Sequence, residues 1–243
     1  MSDRFPQLFW GLIALSLALV LGSLAGASAL RDFHRTDEIQ ATGSARRPVR
    51  SDYIVWRGQV TVQGPTLADA YDQWRRHTNR VRGYLAEHGV ADSTVTFRAV
   101  ETYAIPETLE NGRETGRVLG YRLGQMFEVR SSDVEGIARV AEQSSELIRE
   151  GVPLMAFSPE YLFTGLADIR TELLAEATKD ASDRAAAIAE SAGGKIGTVR
   201  SARMGVFQIT PRYSTEVSDY GINDTSSLEK DVTAVVRVTF SVK

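Results

Sequence analysis

The chain has 243 residues, a formal net charge of −3 at pH 7 and no cysteine. This length is enough for one large domain or two small ones. The lack of cysteine excludes a disulfide scaffold, cysteine-ligated zinc or iron–sulfur sites, and thiol catalysis. The small net charge provides no strong field for nucleic acid, so we expect no nucleic-acid partner.

An uncharged apolar run of 23 residues, 8–30, lies close to the N-terminus. As a helix it would rise about 34 Å, enough to cross the hydrocarbon core of a membrane. We therefore expect a membrane partner, reached through a spanning helix in residues 1–30 that includes Leu8, Trp10, Leu15, Leu19, Leu24 and Leu30. A cleaved signal peptide is the alternative, because Ala27-Ser28-Ala29 is an acceptable cleavage site. Both alternatives predict that the rest of the chain lies outside the cytoplasm.

Residues 31–52 are charged and have little periodicity, which predicts a linker before a domain over 53–243. Its small basic cluster, Arg46, Arg47 and Arg50, is expected to be solvated. Residues 53–63 alternate between apolar and polar, which predicts a half-buried strand that stops at Gly64-Pro65. Thr66 then caps a helix that continues to Gly89.

Two long antiparallel strands are predicted next, around residues 95–99 and 119–129, with Asn111-Gly112 as the turn of a protruding polar tip. A second helix follows, capped by Ser132 and closed by Gly151. Residues 154–163 predict a further strand, in which Pro159 indicates an edge, a bulge or a kink.

The longest helix of the domain is predicted over 165–192. Its buried stripe is expected to contain Ile169, Leu173, Ala177, Ala181, Ala185, Ile188 and Ala192. A strand over 195–210, a polar loop over 211–230 and a strongly alternating strand over 232–242 complete the chain. This order predicts an α+β fold: two β-α-β-β units joined by a helix, with antiparallel sheets and helices on one face, after the N-terminal transmembrane or signal helix.

The search for catalytic groups predicts no catalytic residue, no cofactor and no metal site. His77 and His88 lie about 16 Å apart along one predicted helix, too far for a shared metal ion. The carboxylates at three- and four-residue spacing on the long helix favour a solvated face over a cation strip: Glu172, Glu176, Asp180 and Asp183. The arginines of the first domain helix favour a charged surface or subunit contact: Arg75, Arg76, Arg80 and Arg82.

Two tyrosines, Tyr213 and Tyr220, lie in the polar loop over 211–230. Exposed tyrosines are common at protein interfaces, so these two are the candidate interface residues. A mobile loop with no partner is the alternative.

The sequence resembles the SIMPL-domain family of bacterial envelope proteins. The resemblance extends over about residues 40–243 and lies in the order of several short segments: Ala41-Thr42-Gly43, Gln59-Val60-Thr61-Val62, Gly120-Tyr121, the alanine runs at 175–177 and 185–189, Gly194-Lys195-Ile196-Gly197, and Ala234–Phe240. Arg46-Arg47-Pro48 stands where the family often has a polar-Pro-Asp turn. The resemblance implies no catalytic residues, because the family has none established.

The resemblance also implies an envelope location and assembly into homo-oligomers, with a link to envelope or oxidative stress. We therefore expect a non-catalytic protein of the inner membrane, with its C-terminal domain in the periplasm or outside the cell, that acts by self-association or by binding envelope partners. If the N-terminal segment is cleaved, the expected location is the periplasm. A binding module for a small ligand or peptide, whose identity the sequence does not give, is the alternative, followed by an enzyme.

Overall fold

A computed structural model of the chain describes residues 5–34 and 37–243, with side chains described for 9–23 and 37–243. The helices are α1 (Phe5–His34), α2 (Leu67–Glu87), α3 (Val134–Gln143), α4 (Ser145–Arg149) and α5 (Leu166–Ser191). The strands are β1 (Glu38–Arg50), β2 (Tyr53–Gly64), β3 (Val95–Phe97), β4 (Glu101–Thr108), β5 (Glu114–Ser131), β6 (Leu154–Ala156), β7 (Glu160–Leu162), β8 (Ile196–Met204), β9 (Gln208–Pro211), β10 (Ile222–Asn223) and β11 (Glu229–Val242).

The N-terminal helix is present as α1, but the predicted membrane span is not supported. In the described part of the chain, no helix is long and apolar enough to cross a membrane. Side chains of α1 are described for residues 9–23. Trp10, Leu15 and Leu19 lie in that section and are exposed. The side chains of Leu8, Leu24 and Leu30 lie outside the described residues.

Strand β1 replaces most of the predicted linker. Residues 38–50 alternate in burial, with Ala41 and Gly43 buried while Gln40 and Thr42 are exposed. The linker prediction over 31–52 is therefore wrong for these residues. The buried positions are occupied by small side chains, so the alternation in hydrophobicity that marks most strands is too weak to see in the sequence.

The described chain divides into two compact units, and each is described by itself. The larger unit comprises Ser44–Ala177 and Gly205–Val235. Its six-stranded sheet has the order β3-β5-β2-β6, with β4 also paired to β5 and β7 also paired to β2. The central pair, β2 and β5, is antiparallel from Ile54 opposite Ser131 to Gly64 opposite Tyr121. The pairing confirms the antiparallel arrangement predicted for this part of the chain.

Helices α2 and α3 cover one face of this sheet. The core of the larger unit lies between that face and the two helices. Trp56 and Phe127 are fully buried there and meet edge to face with ring centroids 5.3 Å apart. Tyr84 on α2 donates its hydroxyl hydrogen to the carbonyl of Val140 on α3 at 2.8 Å. Thr66 caps α2 as predicted, whereas Asp133 rather than Ser132 caps α3.

The smaller unit comprises Met1–Gly43, Thr178–Met204 and Val236–Lys243, described here over residues 5–34 and 37–43 of its first segment. Its strand β8 pairs antiparallel with the second half of β11, from Met204 opposite Val236 to Ile196 opposite Val242. The second half of α5 belongs to this unit, and Ala181, Ala185 and Ala189 on it are fully buried.

The stripe along α5 differs in detail from the prediction. Leu173 and Ala177 complete a series of fully buried residues spaced by four. This spacing leaves Ile188 exposed, although it was predicted to be buried.

The α+β class is confirmed, and the finer division into two β-α-β-β units is altered by breaks in the strands. The strand predicted around 95–99 becomes β3 and β4, and the one over 195–210 becomes β8 and β9. Pro159 separates β6 from β7, which both pair with β2, as the edge interpretation of that proline predicts. Strands β9 and β10 are parallel, so the sheet that contains them is mixed and not purely antiparallel.

Candidate functional site

The face of the larger unit's sheet opposite α2 and α3 carries a shallow groove across β2, β5 and β4. Alternation along β2 turns Gln59 and Thr61 to this face, while Val60 and Val62 are buried in the core. The groove has a volume of about 330 Å³. Its lining residues are Gln59, Thr61, Glu101, Tyr103, Arg122 and Gly124.

Gly124 forms the floor of this groove. It stands opposite Thr61 on one side and Glu101 on the other. A Cβ atom at this position would lie 3.2 Å from Nε2 of Gln59 and 3.6 Å from Oγ1 of Thr61. The absence of a side chain therefore provides the depth of the groove.

The groove contains one cation and one carboxylate that are not paired with each other. When the side-chain amide of Gln63 is turned so that its oxygen faces Arg122, that oxygen accepts hydrogen bonds from Nε of Arg122 at 3.1 Å and from its Nη2 at 3.0 Å. The hydroxyl of Tyr103 donates to Oε2 of Glu101 at 3.4 Å. The arrangement can therefore hold both ends of a small zwitterion.

A cluster of four paired charged side chains, Arg57, Glu128, Arg130 and Glu160, lies farther along the same face. Arg57 donates to Glu128 at 2.6 Å and to Glu160 at 2.5 Å, and Arg130 donates to the other oxygen of Glu128 at 2.6 Å. The hydrogen bond from Arg57 lowers the pKa of Glu128, against the effect of burial, with further lowering by Arg130. Because Glu128 is held ionised by two arginines, it is suited to fastening strands and not to exchanging protons.

The predicted protruding hairpin is present. Strands β4 and β5 continue as a two-stranded ribbon beyond Gly64, the last residue of β2, and turn at Gly112, which has a φ of +79°. Val118 and Leu119 on this ribbon and Leu109 beside its turn are large apolar residues that remain exposed. A ribbon with apolar residues in water is a typical docking surface.

The two tyrosines predicted as interface residues lie on the loop between β9 and β10. Tyr213 is 81% exposed and Tyr220 is 97% exposed. Tyr213 adopts a positive φ of 65°, and its backbone N–H donates to Oδ2 of Asp231 at 3.3 Å. Their role in an interface stays a prediction.

Neither His77 nor His88 belongs to a metal-binding cluster within the described residues. Nδ1 of His88 lies 2.8 Å from the carbonyl oxygen of Tyr84, one helical turn back. Burial lowers the pKa of His77, and the neighbouring charge of Arg76 lowers it further. In the part of the chain that the structure describes, no group of three or more histidine, aspartate or glutamate residues could hold a metal ion.

Three carboxylates of α5 form ion pairs with arginines. Arg47 donates to Glu172 at 2.6 Å and to Glu176 at 2.5 Å, which ties β1 to the first half of the helix. Asp180 pairs with Arg184, four residues along the same helix. The cluster at Arg46, Arg47 and Arg50 is thus partly engaged in ion pairs and not merely solvated.

Three arginines of α2 also find partners within the chain. Arg75 pairs with Asp72, and Arg80 pairs with Glu150 at 2.5 Å. The guanidinium carbon of Arg82 lies 3.6 Å from the centre of the Phe97 ring. These contacts support the predicted charged surface.

Sequence reasoning also missed a buried ion pair of the larger unit. The ammonium group of Lys230 is fully buried and donates to the carbonyl oxygen of Asp224 at 2.5 Å and to its Oδ2 at 2.8 Å. Lys230 precedes Val232, Ala234 and Val236 at two-residue spacing, so its burial could have been inferred from its place on the apolar face of the last strand.

Among curated proteins, no sequence matches this chain. In one similar solved structure, the de novo designed protein Foldit4, the match is 16% identical and covers 43% of this chain and 96% of that one, with a TM-score of 0.22. In another, an uncharacterized conserved protein from Listeria innocua, it is 11% identical and covers 82% of this chain and 92% of that one, with a TM-score of 0.22. Scores this low carry no argument about fold or function.

The comparison with protein families gives the identification. Residues 39–240 match the family described as "SIMPL: Protein of unknown function (DUF541)". This match extends from the start of β1 almost to the end of β11 and agrees with the resemblance drawn from the short segments above. The chain therefore belongs to the SIMPL family.

Proposed function

We propose that this SIMPL protein is exported, has no catalytic activity, and acts by self-association through the β4–β5 ribbon. The observation that carries the proposal is the exposure of Leu109, Val118 and Leu119 on and beside a ribbon that no other described strand or helix covers. When a partner covers exposed apolar side chains on one projecting element, their removal from water lowers the free energy of association.

A second copy of the chain is the partner that fits this ribbon. The tip carries both signs of charge, with Glu107 and Glu114 beside Arg113 and Arg117, and Arg117 approaches Glu107 at 3.7 Å. When two identical ribbons pack about a two-fold axis, a residue away from the axis meets a different residue of the other copy. A surface with both charges can therefore complement itself, whereas a ribbon with one sign of charge would repel its copy.

Sedimentation velocity of the full chain over a concentration series tests the proposal. Leu119→Ser is expected to weaken association by about tenfold, because an apolar anchor at the centre of an interface contributes roughly 1–2 kcal/mol. Ile148→Ser is the matched control, since Ile148 is 55% exposed on α4 and Leu119 is 52% exposed on the ribbon. The apolar α1 is the same in all three proteins, so its own contribution cancels.

A wild-type chain that stays monomeric at every concentration would refute the proposal. Equal weakening by Leu119→Ser and Ile148→Ser would also refute it, because association would then be general hydrophobic adhesion and not docking by the ribbon.

A small zwitterion in the groove is the second candidate function. Arg122 provides a guanidinium for a carboxylate, and Glu101 provides a carboxylate for an ammonium group, with Tyr103 beside both. Alanyl-alanine is expected to raise the Tm of the wild-type chain but not that of Arg122→Gln. N-acetylalanine and alaninamide, which each carry one of the two charges, are expected to raise it less. An equal rise in the Tm of Arg122→Gln would show that the dipeptide binds outside the groove.

A further inference from the structure

Strand β8 in the smaller unit has an outward face that the proposed function does not use. Within the described residues, β8 pairs only with β11. Its side chains are exposed from Thr198 to Met204, and Arg203 stands directly opposite Arg237 in the antiparallel register. Alternation places both arginines on the face opposite Val236 and Val238, which are buried.

Two hydroxyl side chains adjoin this arginine pair. Ser201 stands opposite Thr239, two residues along each strand from Arg203 and Arg237, so all four side chains share one face. Thr239 is only 8% exposed, and its Oγ1 accepts a hydrogen bond from Nε2 of Gln40 at 3.4 Å. The hydroxyl hydrogen of Thr239 thus remains able to donate.

The arginine pair has no carboxylate to balance it in the described part of the chain. Neither Arg203 nor Arg237 makes a salt bridge there, unlike Arg47, Arg57 and Arg80. Like charges directly opposite in a ladder repel each other and destabilise the pairing. An anion that bridges the two guanidinium groups would remove this repulsion and gain charge-assisted hydrogen bonds from both.

We propose that Arg203, Arg237, Ser201 and Thr239 bind an oxyanion, and that its chemical class is a phosphoryl group. Two guanidinium forks and two hydroxyl donors match the two negative charges and several acceptor oxygens of a phosphate monoester. A single carboxylate has one charge and two oxygens, so it would leave part of this array without a partner. The site lies on β8 and β11, and it does not depend on association through the ribbon.

The test follows the arginine Nε–H signals of the full chain by NMR during a titration with inorganic phosphate at constant ionic strength. The signals of Arg203 and Arg237 are expected to move together along one binding curve. Arg203→Gln and Arg237→Gln are each expected to weaken that binding by about tenfold or more, because each removes a charge-assisted contact. Arg76→Gln removes the same charge from an exposed position on α2 and is expected to have no effect.

A vesicle assay distinguishes free phosphate from a lipid headgroup as the source. Phosphatidylcholine vesicles with and without phosphatidic acid are compared for the wild type, Arg237→Gln and Arg76→Gln. If phosphatidic acid increases vesicle binding of the wild type and Arg76→Gln but not of Arg237→Gln, the result supports the site and identifies a lipid headgroup as its ligand. Phosphate binding by NMR without such a rise supports the site and assigns a free phosphoryl compound.

Two outcomes would overturn the proposal. In the first, the Nε–H signals of Arg203 and Arg237 stay unchanged throughout the phosphate titration. In the second, Arg76→Gln weakens binding as much as Arg237→Gln does, which would show attraction to the general surface charge and not a site. The NMR spectrum of each variant reports directly whether it is folded, so misfolding cannot pass for loss of binding.

Discussion

The ammonium group of Lys230 depends on one residue for its hydrogen bonds. Both oxygens within reach belong to Asp224, which in turn accepts hydrogen bonds from Ser226 and Ser227. These hydrogen bonds fix the start of the loop between β10 and β11 to the buried face of β11. At the scale of single residues, they replace hydrophobic packing with a charge pair that is costly to break.

Asp224→Ala is expected to destabilise the protein by about 3–5 kcal/mol, because it leaves a buried ammonium without its counter-charge. Replacing both partners, as Lys230→Met with Asp224→Ala, is expected to recover most of that loss. Denaturant unfolding of the single and double variants measures the difference. A double variant no more stable than Asp224→Ala would contradict this account of the pair.

The same pair predicts a dependence of stability on pH. Burial tends to raise the pKa of Asp224, but hydrogen bonds from Lys230, Ser226 and Ser227 outweigh it and hold the pKa well below its ordinary value of 3.8. The stabilisation is therefore complete above the unfolded-state pKa and is lost as the pH falls towards the folded-state pKa. Unfolding free energies between pH 6 and about 2.5 should fall more steeply for the wild type than for Asp224→Asn. Parallel curves would count against a depressed pKa.

At the scale of elements, close backbone approach decides where β2, β5 and α2 meet. A Cβ at Gly120 would lie 2.7 Å from the carbonyl oxygen of Gly64, and one at Gly64 would lie 2.6 Å from the backbone nitrogen of Ala70. Two glycines therefore allow the end of β2 to pass between β5 and the first turn of α2. A side chain at either position would have to displace backbone.

Gly120→Ala is expected to lower the unfolding free energy by about 1–3 kcal/mol, the usual cost of overpacking. Gly83→Ala is the matched control, because a Cβ there meets only flexible side-chain atoms, at 3.6 Å or more. The unfolding free energy of Gly83→Ala is expected to rise by about 0.5–1 kcal/mol, because alanine favours the helix more than glycine does. Chemical denaturation measures the unfolding free energy of both variants. If Gly120→Ala is as stable as the wild type, the close contact between Gly120 and Gly64 is disproved.

Most elements of the domain could be predicted from their own periodicity. The strand at 53–63, the helix after Thr66 and the alternation over 232–242 appear within three residues of their predicted bounds. β1 could not be predicted, because its buried positions are Ala41 and Gly43. The breaks between β3 and β4 and between β8 and β9 could not be predicted either, because each lies opposite a continuous partner, β5 or β11, that is distant in sequence.

At the scale of the whole molecule, export is the prediction that the N-terminal segment carries. The apolar run over 8–30 and the site at Ala27-Ser28-Ala29 are typical of an export signal. Expressed in a Gram-negative host, the chain is expected to be recovered outside the cytoplasm, and its intact mass will show whether residues up to 29 have been removed. Charged residues placed within the run, as Leu15→Arg with Leu19→Arg, should retain it in the cytoplasm. Unchanged export of that variant would disprove the role of the segment.

The sequence by itself determined the class of the fold, the order of most elements and the membership of the SIMPL family, because apolar periodicity and short segments are local properties. It also indicated the hairpin that the proposed function uses, through Asn111-Gly112. Only the tertiary structure decided which side chains become neighbours. The groove over Gly124, the buried Lys230 and the facing pair of Arg203 and Arg237 join residues from different strands, and their spacing is set by strand register. Register depends on pairing between distant segments, which one chain's local pattern does not specify.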